Sequence, residues 1–176
     1  ENGLGIIKFK EGVDSISDRA FANSNLVSIS IPECITSIGD KTFLGCRDLA
    51  SVELPESVTE IGTEAFTGCV SLRDIVVPSG VSVIKKKTYS DCTALTSISI
   101  PEGITTIRAE AFEDCTGITS VTLPESLTTI EEAPFSGCNN LVEFYGKYAS
   151  EDGKYLFDGD TLLAVVPAGL TELTLP

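Results

Sequence analysis

"LPESVTEIGTEAFTGC", Leu54 to Cys69, is written again with few changes as "LPESLTTIEEAPFSGC", Leu123 to Cys138. The offset is 69 residues, three times 23. Prolines at 32, 55, 78, 101 and 124 keep the 23-residue step, and cysteines at 46, 69, 92, 115 and 138 keep it too. The aromatics Phe43, Phe66, Tyr89, Phe112 and Phe135 are in phase, as are Leu26, Leu49, Leu72, Leu95, Ile118 and Leu141. Independent landmarks sharing one phase define an internal repeat, L-x-x-[IV]-x-[ILV]-P-x-x-[ILV]-x-x-I-x-x-x-x-[FY]-x-x-C-x-x. A first copy opens at Leu4 with Ile7, Phe9, Val13, Ile16 and Phe21, one residue short and without the proline or the cysteine. Terminal copies of a stack are commonly atypical in this way.

Each copy holds two short extended stretches. In the first, Leu26 to Ile31, Ile29 and Ile31 point to one side and Ser30 to the other, since strand side chains alternate. Proline ends it, because it cannot donate to a ladder. The second, Ile35 to Ile38, is rich in β-branched residues. No segment carries a helical period long enough for a stable helix, and "TEAF" (63–66) has room for one helical or 3₁₀ turn. A single copy cannot bury its apolar side chains alone; stacked copies can, each side chain lying over its counterpart at a strand spacing of about 4.8 Å. The sequence therefore predicts a right-handed solenoid of 23-residue coils, β-rich, with a parallel sheet along one wall and shorter strands opposite.

The cysteine column falls inside, between the aromatic and the next leucine. A thiol there fills a narrow corner and can contact loop carbonyls. A disulfide ladder is the rival reading, but five members cannot all pair, and parallel side chains rarely meet disulfide geometry. The expectation is no disulfide and about six free thiols, with Cys34 an incidental one in the turn after Pro32. The glycines at 45, 68 and 137 answer a backbone need at the tight corner. Glu33, Glu56, Glu102 and Glu125 follow the prolines, and like charges so stacked are expected to splay into solvent.

After Leu141 the register slips. "LTELTLP", Leu170 to Pro176, restores the pattern 29 residues on instead of 23. Between them "KYLF" and "TLLAVV" flank "DGD", a hairpin signal. We expect one domain over 1–176, with coils starting near 4, 26, 49, 72, 95, 118, 141 and 170 and a β-hairpin inserted at about 147–168. With no methionine at position 1, the chain is expected to be a processed product or a part of a longer protein.

Composition narrows the function. The net charge is −14, from 26 acids against 12 bases, which argues against nucleic acid and anionic membrane surfaces. No apolar run is long enough to span a bilayer. There is no histidine, so most general-base, nucleophile-activating and zinc arrangements are excluded; no catalytic residue, metal site or cofactor is expected.

The motif L-x-x-I-x-I-P-E-x-I-T-S-I-G-D-x-x-F-x-G-C, as in Leu26 to Cys46, resembles the BspA-like, or Treponema pallidum-type, leucine-rich repeat family. "DGKYLFDGDTLLAVVPAG", Asp152 to Gly169, is similar to a hairpin that recurs in that family. The resemblance implies a cell-surface or secreted protein whose partners are host or neighbouring-cell proteins or glycans, bound for adhesion. It carries over no catalytic residues. A structural spacer that projects another domain, or an accessory binding domain of a surface enzyme, are the alternatives. The oligomeric state is open.

The candidate binding surface is the outward face of the strand wall. One column is Ser30, Glu53, Val76, Ser99, Thr122 and Tyr145; a second is Ser28, Ser51, Asp74, Ser97, Ser120 and Glu143. A third, Val27, Ala50, Arg73, Thr96, Thr119 and Val142, borders them. Small hydroxyl residues keep a two-faced sheet soluble, and they also make a flat hydrogen-bonding platform. Tyr145, Tyr148 and Tyr155 gather beside Phe144 and Phe157, either as an interface cluster or as packing for the hairpin.

Overall fold

A computed structural model describes residues 9–10 and 12–167. The start of the first coil at Leu4 and the returning motif at 170–176 lie outside the described residues. What is described is a stack of coils repeating every 23 residues, with the landmark columns in line. Rings of Phe21, Phe43, Phe66, Tyr89, Phe112 and Phe135 follow one another at centroid separations of 5.2–5.6 Å, tilted by only 8–11°. Phe144 closes the row, 5.6 Å from Phe135 but turned by 54°. The leucine and isoleucine columns are buried beside it, and all of them join one continuous core. No coil has an interior of its own, so burial, and with it the hydrophobic driving force, exists only between coils.

Each coil has three sides. The first wall carries the strands Ser28–Ser30, Ser51–Glu53, Ser97–Ser99, Ser120–Leu123 and Glu143–Gly146, paired in parallel and in register, Ser28 beside Ser51 and Ser97 beside Ser120. The second wall carries two-residue strands, Ser15–Ile16, Ser37–Ile38, Glu60–Ile61, Val83–Ile84, Thr106–Ile107 and Thr129–Ile130. Threonine hydroxyls follow the second ladder: Thr36 donates to Asp14 O, Thr59 to Thr36 O, Thr105 to Ser82 O and Thr128 to Thr105 O.

The third side is a wall of turns. The sequence left room here for a helical or 3₁₀ turn; among the described residues no helix forms. The reason lies in the backbone. Arg19, Lys41, Glu64, Lys87, Glu110 and Ala133 all have φ between 51° and 59°, and the left-handed conformation interrupts any helix at that point. Four residues later Gly45, Gly68 and Gly137 are left-handed too, with φ of 70–75°, and Asp91 and Asp114 substitute for glycine in the intervening coils. The alternation aims every second amide along the stack. Lys41, Phe43 and Gly45 donate to the carbonyls of Thr63, Ala65 and Thr67 in the next coil; Glu64, Phe66 and Gly68 donate likewise to Lys86, Thr88 and Ser90.

Beyond the last described coil Tyr155–Asp158 and Thr161–Val165 form the antiparallel hairpin that "DGD" signalled. Its approach loop folds back on the solenoid: Phe144 N donates to Gly153 O, and Lys147 Nζ and Tyr148 Oη both donate to Leu127 O. This covers part of the edge that the strand Glu143–Gly146 would otherwise present.

Candidate functional site

The repeated cysteines come first, because they are the strongest nucleophiles in the chain. All six are free, with Cys34 exposed and the other five buried. Each buried thiol donates to the main-chain carbonyl of the aromatic residue in the preceding coil. The distances run 2.9 Å for Cys46 to Phe21 O, 3.2 Å for Cys69 to Phe43 O and 3.3 Å for Cys92 to Phe66 O. They are 3.0 Å for Cys115 to Tyr89 O and 3.1 Å for Cys138 to Phe112 O. Burial pushes the thiols up, to about 12 for Cys69 and Cys138 and above the ordinary value for Cys92 and Cys115. A thiol that stays protonated and is engaged as a donor is a poor nucleophile. The column closes a corner; it is not a reactive array.

The acids behave less uniformly than their column suggested. Glu56 accepts from the amide and hydroxyl of Ser79, and Glu102 accepts from the amides of Glu125 and Ser126. These donors hold both carboxyls below the usual carboxylate range. So Glu56 and Glu102 reach forward to cap the next coil's turn instead of splaying into solvent. An exposed acid beside unpaired amides finds a better partner in the peptide than in water alone. On the turn wall, Lys41 pairs with Glu64 at 3.2 Å and Lys87 with Glu110 and Glu113 at 3.1 and 2.9 Å, clasping consecutive coils. Among the described residues no group of three or more His, Cys, Asp and Glu side chains is placed to hold a metal ion.

The first wall is different. Ser28, Ser30, Ser51, Glu53, Ser97, Ser99 and Thr122 project from it in register and are exposed; Ser120 and Glu143 are half-buried. Asp74 and Val76 are exposed at the matching height but lie on a segment, 73–77, that forms no strand. The large apolar side chains exposed among the described residues are Val27, Val76, Val142 and Tyr145, the most open being Val76 at 76%. All four rise from this wall or its leading edge. The tyrosine cluster divides. Tyr145 stands on the wall with its hydroxyl on Glu143 Oε2, which raises the phenol. Tyr148 is half-buried and Tyr155 belongs to the hairpin, 5.8 Å from the Phe157 ring, so both serve packing. Beside Tyr145 the loop at 149–153 brings in Glu151 and Asp152, forming an open groove of about 260 Å³ with Glu143. Those two acids were not legible as neighbours of the wall, because only the fold-back of the loop puts them there.

Residues 14–142 match six copies of the BspA type leucine rich repeat region. Three solved structures show the same solenoid. A leucine rich cell surface protein from Faecalibacterium prausnitzii is 37% identical with a TM-score of 0.67, and the match covers 69% of this chain and 32% of that one. The leucine rich repeat protein of T. pallidum is 35% identical with a TM-score of 0.68, covering 77% of this chain and 65% of its own. A leucine-rich repeat protein from Bacteroides ovatus is 34% identical with a TM-score of 0.63, covering 68% and 33%. This chain thus spans about a third of the first and third and just under two thirds of the second. No curated protein matches it.

Proposed function

Because this chain belongs to the BspA-type leucine-rich repeat family, we propose that its first wall is a protein-binding surface displayed outside the cell, used for adhesion and without chemistry of its own. One observation carries the reading: among the described residues the exposed large apolar side chains all lie on one wall of the stack or its leading edge, spaced along it. Water penalises such exposure, and a monomeric surface gains nothing from concentrating it on one side. A partner's surface would relieve it. The serine and threonine columns that separate Val76 from Tyr145 along the wall add hydrogen-bonding groups to it. The description of the Faecalibacterium relative as a cell surface protein supports the location. The lack of histidine and the protonated thiols favour a non-catalytic role.

The test is binding of the chain to an immobilised panel of host matrix proteins and glycans. Val76→Asp and Tyr145→Asp should each weaken any interaction about tenfold or more, that is about 1.4 kcal/mol. Lys86→Ala, on the turn wall, should leave it unchanged. Silence across the panel, or equal loss from all three variants, would refute the assignment of the surface.

A further inference from the structure

We infer that the coil from Leu72 to Ala94 is a hinge built into the stack, because its main-chain ladder to the preceding coil is intact only on the turn wall. Both β-walls are interrupted there. On the first wall, the ladder stops after Ser51–Glu53 and resumes at Ser97–Ser99. The intervening segment 73–77 has one main-chain link to its neighbours, a long bond of 3.4 Å from Arg73 N to Ala50 O. Ile75 is only partly buried, whereas its counterparts Ile29, Val52, Ile98, Val121 and Phe144 are 0–8% exposed. On the second wall, Glu60–Ile61 and Val83–Ile84 belong to separate sheets. Among the described residues, Thr59 O accepts neither the amide nor the hydroxyl of Ser82, although both rungs exist between Thr36 and Thr59's pair and between Ser82 and Thr105. A groove of about 270 Å³ opens at the missing rung, crossed by the Lys85–Glu60 ion pair.

Two sequence changes fall in this coil and account for the breaks. The corner after the second wall is Ser17 in the first coil and glycine in the next two, Gly39 and Gly62. A Cβ on Gly62 would lie 2.4 Å from the backbone of Gly39, so the two coils approach more closely than any side chain allows. From Lys85 onward, with Arg108 and Glu131, every corner carries a side chain, and that half is laddered again. The rung is lost where a glycine corner is followed by one with a side chain; the reverse order, Ser17 followed by Gly39, keeps its ladder. The second change is Tyr89, the one tyrosine in a row of phenylalanines. Its hydroxyl is fully buried with no hydrogen-bond partner, and the oxygen needs room that a phenylalanine coil does not provide. The strand-wall segment of the same coil is the one that has moved off its ladder. Meanwhile the turn wall runs through unbroken: Glu64, Phe66 and Gly68 donate to Lys86, Thr88 and Ser90 at 2.9–3.0 Å. Two walls open and one closed is the mechanical form of a hinge. Flexing there would alter the curvature of the first wall at Val76.

Amide hydrogen exchange on the whole chain tests this. Amides at 74–77 and 82–85 should exchange about tenfold or more faster than those one coil on, at 97–100 and 105–108, while 86–91 stays protected. Tyr89→Phe should slow exchange at 74–77, and Lys85→Gly should slow it at 82–85. Equal protection in the two coils would overturn the hinge. So would fast exchange at 86–91, which would mean local unfolding of the coil, or fast exchange that both variants leave untouched.

Discussion

The five buried cysteines do structural work that a hydrocarbon of the same size could not. Each hands a proton donor to a carbonyl one coil back that already accepts one main-chain amide, and so occupies its second lone pair. In the native protein an alkylating reagent at pH 8 should therefore label Cys34 alone, and in denaturant six thiols; five or six fast native labels would contradict the packing. Two of them, Cys69 and Cys138, bear on stability at alkaline pH. A thiol whose folded pKa lies above its unfolded one contributes stability in full below the unfolded value and loses it as pH climbs through the folded one. For Cys69 and Cys138 that interval runs from about 9 to about 12. Each such thiol removes about 1.4 kcal/mol per pH unit across it. Denaturant midpoints should fall steeply above pH 9, and less steeply in Cys69→Ala.

At the scale of the element, the column is the unit, and a defect in one coil is felt by both neighbours. Phe66 stacks on Phe43 and Tyr89 at once. Phe66→Ala should destabilise by about 3–5 kcal/mol in equilibrium unfolding; a loss under about 1 kcal/mol would mean that the rings do not act as a stack. The columns were legible because identical spacing of unlike residue types admits one interpretation. The corners were not. Lys41, Glu64 and Lys87 hold left-handed conformations that their side chains do not advertise, so a helical turn remained open to a reader of the sequence. Nor was the broken strand legible in "LRDIVVP", which keeps every apolar position. The only signals lay elsewhere in that coil, in a tyrosine for phenylalanine and a lysine for glycine. Ser28, Ser30, Ser51, Glu53, Ser97, Ser99 and Thr122 face out from one wall, but the pattern did not reveal that Tyr148 and Tyr155 make packing contacts while Tyr145 faces out.

The molecule as a whole is a one-dimensional object with a charge of −14. The ion pairs clasp neighbouring coils locally, yet the surplus acids repel along the full length. Raising ionic strength from about 0.01 M to about 0.15 M shortens the Debye length from about 30 to about 8 Å and should raise the melting temperature. A fall would show that the clasps outweigh the repulsion. The turn wall adds a feature of a different kind. Its inter-coil amides all point toward later coils and its carbonyls toward earlier ones. Peptide dipoles so aligned sum, as cells do when wired in series. On the second wall the sense is reversed, Thr59, Thr105 and Arg108 donating back to Thr36, Ser82 and Ile84, so the two walls oppose each other like cells wired head to head and their backbone polarities offset.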